Sequence, residues 1–398
     1  MDESIFKDVT VLTLEQATVA PYLSYRLAQD GMKVIRVENP AMPDPNRFIG
    51  DNRLNEEGMN TYFLAINAGK KDITLNLAET KGQDILKELI DKLDVDIFIT
   101  NQLPRNYMKL GIDYDILSAA KKDLIWVGIT GFGPDSNEAA YDPILQARGG
   151  LMELTGEKDG NPLVTGIPLP DMGTSEHTYG LIMKALLNKA LTKEGSRIDM
   201  AMFESTVSWL TVPICLAKSF DKHVTRRGNT HEFFAPVSVY QTRDGYVYIA
   251  VGNDRQWESV TAIPAFKHLA KDEYKRNAGR IADVDNLNRA IEEITATFST
   301  DELIKLFNEV KVAISRVNTI PEVLEEPVVQ KNILVSKDKQ SGTALTLAPP
   351  PHMTPYLKTA DKNLSFPPRL GEHNEEIYRD KMGMTPEDLK ALRDSKII

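Results

Sequence analysis

The chain has very little cysteine, no long apolar run and no excess of basic residues. Cys215 is the only cysteine among 398 residues, which excludes an internal disulfide and a cysteine-based metal cage. Because it lies in the apolar run TVPICLA, we expect it to be buried. No apolar stretch approaches the roughly 18 residues that a membrane helix needs, and the acidic start MDESIFKDVTVL does not resemble a signal peptide. These features predict a cytoplasmic protein.

The charge balance is acidic, with a formal net charge of −10. Non-specific binding to nucleic acid or to an anionic membrane requires an excess of Lys and Arg, so we expect neither partner. The hydrophobic content of 42% and charged content of 26% are typical of a folded globular protein. Since single cores stop growing at roughly 250 to 300 residues, the length predicts about two domains.

The first 130 residues alternate short β-branched runs with helical patterns, which favours an α/β fold with a mostly parallel sheet. The predicted strands are 9–14, 33–39, 72–77, 95–100 and 124–133. In KGQDILKELIDKL, the predicted helix between two of these strands, one apolar stripe is formed by Ile85, Leu86, Leu89, Ile90 and Leu93. GITGFG does not match the spacing of a dinucleotide fingerprint, so no cofactor of the NAD type is expected.

The character of the sequence changes near residue 221. SVYQTRDGYVYIAVG predicts a β-hairpin with an Asp-Gly turn, and helical patterns follow it. We therefore predict a small α+β domain at 221–330, inserted into a large Rossmann-like domain at 1–220 and 331–398. The Pro-rich segments APPPHMTPY and FPPRLGEHNEEIYRD are typical of connecting or wrapping structure.

One carboxylate stands out, in the stretch PLPDMGTSEHTYGLIMKALL. Asp171 precedes small residues and then the helical pattern GLIMKALLNKAL. Two interpretations compete: Asp171 caps the helix by accepting hydrogen bonds from free N–H groups, or it reacts. The position alone favours neither, because a helix N-terminus also stabilises an ionised, nucleophilic carboxylate.

Nine segments together resemble one family, the class III CoA-transferases, which includes the formyl-CoA:oxalate, carnitine and bile-acid CoA-transferases. They occur in the family's order along nearly the whole chain: VTVLTLEQATVAPYLSYRLAQDGMKVIRVENP, NAGKKDITLNL, ITNQLPRNYMKLGIDYDIL, LIWVGITGFGP, YDPILQARGGLMELTG, PLPDMGTSEHTYGLIMKALL, GYVYIAVGNDRQW, ISRVNTIPEVLEEPVVQ and PPRLGEHNEEI. The resemblance implies a Rossmann-like large domain with an inserted small domain, ring-shaped protomers and an interlocked dimer.

The resemblance also implies a reaction in which Asp171 is the catalytic residue. Asp171 would attack an acyl-CoA thioester to give a mixed anhydride, and the CoA thiolate would return to give an aspartyl-CoA thioester, from which CoA passes to a carboxylic acid. Backbone N–H groups beside Gly173 are candidates for stabilising oxyanions. The chemistry requires a CoA thioester as co-substrate, and neither a metal nor a nucleotide cofactor is expected.

By the same resemblance, CoA is held by cations and polar groups on several loops. The candidates are Arg36, Asn39, Lys70, Lys71, Asn101, Lys109 and Tyr141, with Arg47 as a further cation. Each of the lysines is alternatively a solvated surface residue. Thr18 stands where the formyl-CoA:oxalate enzyme has glutamine beside its substrate, which indicates a different acid. Phe233 and Phe234 are candidates for the acyl pocket, or for the core. The family's glycine-rich lid is not evident, because GNDRQW follows its strand directly.

Two rival functions remain from the residues. The related α-methylacyl-CoA racemases have a histidine where this chain has Tyr141, directly before Asp142, and tyrosine is a poor proton shuttle at neutral pH. His177 follows Asp171 on the predicted helix and is either a residue of the site or, as we favour, a surface or packing histidine. The same two alternatives apply to His231 and His373. Alternatively, the chain is a mainly structural subunit of a heteromer with a similar paralogue. For the enzyme itself, succinyl-CoA is the predicted donor and a dicarboxylate or arylsuccinate the predicted acceptor.

Overall fold

The structure, a computed structural model, describes residues 4–398. The contacts within the chain divide it into two compact units. The first consists of the chain up to Gly150, Thr165–Cys215 and Pro327–Ile398, and the second of Leu151–Val164 and Leu216–Glu326. The second unit therefore includes a short segment from the first half of the chain besides the insertion that the sequence predicts at 221–330.

The strands form three sheets. In chain order they are β1 (Thr10–Leu14), β2 (Lys33–Glu38), β3 (Lys71–Thr74), β4 (Ile97–Thr100), β5 (Ile125–Thr130), β6 (Ser196–Ala201), β7 (Val237–Gln241), β8 (Tyr246–Ala250), β9 (Ala313–Arg316), β10 (Leu334–Lys337), β11 (Ala344–Leu347) and β12 (Asn363–Leu364).

The α-helices are α1 (Val19–Gln29), α2 (Thr61–Ala65), α3 (Thr80–Lys92), α4 (Tyr107–Leu110), α5 (Tyr114–Ala120), α6 (Asp142–Arg148), α7 (Leu151–Leu154), α8 (Leu169–Thr192), α9 (Met202–Ser208), α10 (Thr211–Phe220), α11 (Asp254–Ala262), α12 (Asn277–Ala282), α13 (Val284–Thr295), α14 (Thr300–Glu309), α15 (Ile320–Glu325), α16 (Pro327–Asn332), α17 (Pro355–Thr359) and α18 (Pro386–Asp394). Glu375–Lys381 is a π-helical turn. Among the described residues, no helix is both long enough and apolar enough to cross a membrane.

The first unit is built on a six-stranded sheet in the order β3-β2-β1-β4-β5-β6, and every neighbouring pair is parallel. Alternate residues of its strands enter two different cores, as the two-residue period of a strand requires. Leu12 and Phe98 belong to one core, whereas Val11 and Ile97 belong to the other. Both faces are therefore covered, which explains the nearly continuous apolar runs. The prediction of a parallel α/β sheet is confirmed.

The helical stripe predicted between two strands is also confirmed. In α3, Ile85, Leu86, Leu89 and Ile90 are completely buried, and they pack against the sheet in the first core. Leu93 lies at the helix C-terminus and is partly buried against the same core.

The second unit has its own antiparallel sheet in the order β7-β8-β9. The predicted hairpin is confirmed, with β7 and β8 joined through Asp244 and Gly245. A separate apolar core lies between this sheet and helices α11, α13 and α14.

The C-terminal tail packs against the edge strand β3. The backbone N–H of Thr74 donates to Oδ1 of Asn374 at 2.9 Å, and the N–H of Gly371 donates to a carboxylate oxygen of Asp72 at 2.7 Å. The backbone N–H of His373 donates to the carbonyl of Asp72 at 2.9 Å. The tail thus satisfies polar groups of a strand that would otherwise be an open sheet edge.

Candidate active site

The candidate site lies at the carboxyl ends of the parallel strands. The strand order reverses direction at β1, whose neighbours are β2 and β4. In open α/β sheets, ligands bind in the crevice that such a reversal creates. The segment 15–18 leaves β1 at this point and leads into α1.

Asp171 lies in the first turn of α8, which begins at Leu169 after Pro168. The N-cap position of α8 is taken by Pro168 and not by Asp171. Among residues 4–398, no donor lies within hydrogen-bonding distance of its carboxylate. The interpretation of Asp171 as a passive helix cap is therefore wrong, and its carboxylate is available to a ligand.

Asp142 fixes the backbone of Asp171 through a hydrogen bond. Its Oδ2 accepts a hydrogen bond from the N–H of Asp171 at 3.2 Å, and its Oδ1 accepts one from Nε2 of Gln146 at 2.6 Å. Oε1 of Gln146 in turn accepts from the backbone N–H of Thr165 at 2.9 Å. This chain of bonds, together with Gln146 being buried, positions the first turn of α8.

The pKa of Asp171 is raised to about 7, first by burial and second by the negative charge of Asp142. Burial likewise raises the pKa of Asp142. We expected the helix N-terminus to favour the ionised carboxylate, but burial and a like charge outweigh it, since both disfavour ionisation. A carboxylate with a raised pKa is a stronger base and a better nucleophile once ionised.

The N–H groups proposed as an oxyanion site are occupied. The N–H of Met172 donates to the carbonyl of Pro168 at 3.0 Å, and the N–H of Asp171 is taken by Asp142. Gly173 lies inside the helix that begins at Leu169. The expectation that donors beside Gly173 are free is therefore wrong, because α8 starts earlier than the sequence pattern indicated.

Ser175 joins the first turn of α8 to the first turn of α1. Its hydroxyl is within hydrogen-bonding distance of two carbonyl oxygens, that of Val19 at 2.6 Å and that of Asp171 at 2.9 Å. Thr18 immediately precedes α1, is nearly buried, and lies 3.0 Å from the Tyr62 hydroxyl through its Oγ1. The beginnings of α1 and α8, with Thr18 and Asp171, therefore lie together.

The backbone that leads to Thr18 is held by three side chains from two segments of the chain. Oδ1 of Asp44 accepts from the N–H of Ala17 at 3.0 Å, and the amide of Asn46 donates to the carbonyl of Ala17. Asn101, at the end of β4, bonds both backbone groups of Gln16. Ala17 has a φ of +62°, a conformation that costs a non-glycine residue about 1 kcal/mol or more. These contacts offset that strain.

Three predicted CoA-binding cations are buried inside the first unit instead. The side chains of Arg36 and Lys70 are completely buried and that of Arg47 is 1% exposed. Nζ of Lys70 donates to Glu15 at 3.0 Å and to the carbonyl of Pro21 at 2.7 Å. The prediction that these side chains contact a ligand is therefore wrong. They neutralise acidic residues that the fold has removed from water.

Arg36 is the centre of this network, and its acidic neighbours come from four chain segments. They are Glu15 at 3.5 Å, Glu38 at 3.2 Å, Asp44 at 3.0 Å and Asp72 at 3.8 Å. Burial raises the pKa of Asp72, whereas the Arg36 and Arg47 guanidinium groups, acting against burial, hold the pKa of Glu38 well below its usual value. Because Asp44 also accepts a hydrogen bond from Ala17, the network connects to the segment 15–18 between β1 and α1.

The other predicted CoA ligands lie at different places in the first unit. Oδ1 of Asn39 accepts from the N–H groups of Ala41 and Met42, so this side chain closes its own turn. Lys109 is exposed on α4 and Tyr141 is 72% exposed at the start of α6, where both are accessible. Lys71 is the first residue of β3 and so lies at the amino ends of the strands, whereas Asp171 lies beside their carboxyl ends. The structure therefore does not bring these two residues together.

The predicted acyl-pocket residues Phe233 and Phe234 belong to the second unit, and about 40% of each is exposed. Both rings pack against His231, with centroids 6.0 Å and 5.2 Å away. Their role in a pocket stays a prediction. Cys215 is exposed, so the expectation that it is buried is wrong; α10 has no buried residue in this chain.

His177 belongs to a hydrogen-bonded set that the sequence did not reveal. Its Nε2 accepts from Nε1 of Trp209 at 3.0 Å, and its Nδ1 lies 2.8 Å from Oγ of Ser205. The indole is a donor only, so Nε2 accepts this hydrogen bond, and His177 packs between Trp209 and Ser205. The Trp209 ring lies against Gly173, where even a Cβ atom would be 2.0 Å from it.

His373 is also engaged, through Nδ1, by the N–H of Asp72 at 3.2 Å. Burial lowers its pKa. Across the described part of the chain, no group of three or more His, Cys, Asp or Glu side chains is arranged to hold a metal ion.

The parallel sheet and the Asp171 carboxylate at the start of α8 define the class: an α/β protein with a candidate active site at the carboxyl ends of its strands. The comparisons identify the family. The model of CoA-transferase family III matches residues 6–374. This chain belongs to that family.

Relatives match along nearly the whole chain. Succinyl-CoA:glutarate CoA-transferase of Mus musculus is 30% identical and covers 98% of this chain and 89% of its own length. Formyl-CoA:oxalate CoA-transferase of Streptomyces coelicolor is 28% identical and covers 100% of both chains. The crystal structure of a CAIB/BAIF family protein from Brucella suis is 29% identical, with a TM-score of 0.81 over 94% of this chain and 98% of its own.

Proposed function

We propose that this protein transfers CoA from an acyl-CoA donor to a carboxylic acid, with Asp171 as the nucleophile. The observation that carries the proposal is the Asp171 carboxylate, which is partly buried, fixed through its backbone and without a hydrogen-bonding partner among residues 4–398. A carboxylate without partners in a structured crevice is free to form a covalent bond.

The proposed reaction exchanges carboxylate and thiolate at four steps. An oxygen of Asp171 attacks the thioester carbonyl, the C–S bond breaks, and CoA leaves as thiolate from a mixed anhydride. The thiolate then attacks the Asp171 carbonyl, which releases the donor acid and leaves an aspartyl-CoA thioester. The acceptor carboxylate attacks this thioester, and the thiolate released finally attacks the acceptor carbonyl and regenerates Asp171. Nucleophilic catalysis of this kind divides one difficult transfer into easier ones.

The residues around Asp171 act by positioning and by excluding water. Asp142 and Ser175 fix the backbone of the first turn of α8, so the carboxylate is presented in a constant direction. With a pKa of about 7, about half of the free protein has an ionised Asp171 at neutral pH. The low polarity that raises this pKa also excludes the water that would hydrolyse an anhydride.

For substrates, we propose a dicarboxylic acid as acceptor and succinyl-CoA as donor. The names of both relatives, succinyl-CoA:glutarate and formyl-CoA:oxalate CoA-transferase, contain dicarboxylic acids. Thr18, at the start of α1 beside Asp171, is the residue proposed to contact the acid. Lys109, Tyr141 and Asn101 remain the candidates for CoA. We also propose that ring-shaped protomers form the active species as an interlocked dimer.

The test is to incubate the protein with succinyl-CoA and search by mass spectrometry for CoA attached to the peptide that contains Asp171. We expect an adduct, and we expect Asp171→Ala to abolish both adduct and turnover. Asp135→Ala, at an exposed carboxylate of the same unit, is the matched control and retains both. Turnover that persists in Asp171→Ala contradicts the mechanism, and activity that requires a second, paralogous chain indicates a heteromer.

A further inference from the structure

A second cavity, of about 440 Å³, opens at the amino ends of the strands, away from Asp171. Its charged lining consists of four lysines and one acid: Lys33, Lys71, Lys92, Lys381 and Glu376. Lys33 begins β2 and Lys71 begins β3, whereas Lys92 ends α3 and Lys381 ends the π-helical turn. Four separate elements therefore bring positive charge to one concave surface.

This concentration of charge contrasts with the rest of the chain. The charged side chains that line the cavity sum to +3, in a protein with a net charge of −10. Like charges repel at short range, so four converging lysines lower the stability of the fold unless an anion compensates them. The C-terminus of α3 contributes partial negative charge, which Lys92 in the last turn offsets.

Two of the four lysines, Lys33 and Lys92, are only weakly paired within the chain. Lys33 lies 3.4 Å from Asp8, and both side chains are more than half exposed. Lys92 lies 3.8 Å from Glu88, and it also donates to the carbonyl of Met382 at 3.0 Å. Exposed pairs of this kind contribute at most about 1 kcal/mol. Their charge is therefore available to a ligand.

The cavity is separate from the Asp171 site. β1 runs from Thr10, which lines the cavity, to Leu14, which precedes the segment 15–18 beside Asp171. At about 3.3 Å per residue, this strand separates the two sites by roughly 15 Å. The cavity is therefore not part of the Asp171 site.

We infer that this cavity binds a phosphorylated small molecule with at least two negative charges. Lysine binds phosphate as a point charge that can approach from any direction, and here four ammonium groups approach from four elements. The lining also includes the apolar residues Val34, Ile35 and Leu93, which can contact the organic part of the ligand. The volume accommodates a molecule larger than a free phosphate ion.

Glu376 is the residue that the ligand must displace. Its carboxylate forms a close ion pair with Lys71, and each side chain is about 40% exposed. A phosphoryl group that binds Lys71 takes the place of Glu376. Removing the Glu376 charge therefore tightens binding of the ligand, whereas removing the charge of a cavity lysine weakens it. These opposite effects are expected only if the ligand binds among the lysines beside Glu376.

The experiment is calorimetric titration of the full chain with inorganic pyrophosphate, in the presence of saturating CoA so that the Asp171 site is occupied. We expect Lys33→Gln and Lys381→Gln each to raise the Kd about threefold to tenfold, and Glu376→Gln to lower it about threefold. Lys122→Gln and Glu194→Gln, at exposed positions of the same unit near β5 and β6, are the matched controls and leave the Kd unchanged. Turnover without pyrophosphate stays the same in all five variants.

Four results overturn the inference. Pyrophosphate that does not bind below about 10 mM shows that the cavity is not an anion site at this strength. If the Kd changes equally in the cavity variants and in the controls, pyrophosphate responds only to the overall charge of the protein and not to this cavity. CoA that competes with pyrophosphate contradicts a separate site. Citrate is titrated in parallel, and citrate bound as tightly as pyrophosphate contradicts the preference for a phosphoryl group.

Discussion

The backbone N–H of Asp171 donates a hydrogen bond to Oδ2 of Asp142 at 3.2 Å, so two acidic residues lie side by side at the start of α8. One provides the proposed nucleophile. Asp142 fixes the backbone of Asp171, and its negative charge adds to burial in raising the pKa of Asp171. Positioning and electrostatics thus come from one residue, and they can be separated by experiment.

The first prediction concerns the pH dependence of the reaction. Asp171 must be ionised to attack a thioester, and its pKa in the free protein is about 7. We expect kcat/KM to fall about tenfold per pH unit below pH 7, because this parameter reports ionisations of the free enzyme. A kcat/KM profile that is flat between pH 5 and pH 8 would contradict the role of this carboxylate.

The second prediction concerns Asp142→Asn. The asparagine removes the charge that contributes to the raised pKa of Asp171, so the acid limb of the kcat/KM profile moves to lower pH, by about one unit. Asp135→Asn is the control, because it removes an exposed carboxylate and leaves the limb in place. If Asp142→Asn lowers kcat at every pH without moving the limb, Asp142 acts by positioning alone.

The third prediction is that Asp171→Asn stabilises the protein. The folded pKa is raised above the unfolded value of about 3.9, so ionisation of Asp171 opposes folding, and its cost grows as the pH rises from about 4 to about 7. Replacing the carboxylate removes a cost of up to about 4 kcal/mol. Thermal unfolding at pH 8 should show a higher Tm than wild type, with a smaller difference at pH 5. An equal gain at both values would mean that ionisation is not the cause.

The fourth prediction compares two adjacent lysines. Lys70→Met leaves the buried carboxylate of Glu15 without its closest cation, and breaking a buried pair in this way costs about 3–5 kcal/mol. Lys71→Met removes a pair that is about 40% exposed on each side, so we expect a loss below about 1 kcal/mol. Urea unfolding of both variants provides the comparison, and equal losses would contradict the buried network.

Much of the fold was predictable from local pattern. The runs that became β1 to β5 and the stripe of α3 follow directly from two periods, 2.0 and 3.6 residues, because side-chain direction along an element is a local property. The hairpin of β7 and β8 follows from its Asp-Gly turn. The resemblance to CoA-transferases rested on residues in order along the chain, and the family model confirms it.

Solvent access of the charged residues was not predictable in the same way. Arg36 and Lys70 have the sequence context of ligand-binding cations, but their acidic partners include Glu15 and Asp72, which lie far from Arg36 in the sequence. Only the packing of β1, β2 and β3 brings these charges together. The partnership of Asp142 with Asp171 spans 29 residues, and no local period reports such a contact.

The sequence by itself determined the order of the elements, the family and the position of Asp171 on a helix N-terminus, since each depends on neighbouring residues. The tertiary structure alone decided which cations are buried, which carboxylate lies beside Asp171, and that Lys71 lines a cavity at the amino ends of the strands. The physical reason is that burial and charge depend on distance in space, and only the folded chain sets those distances.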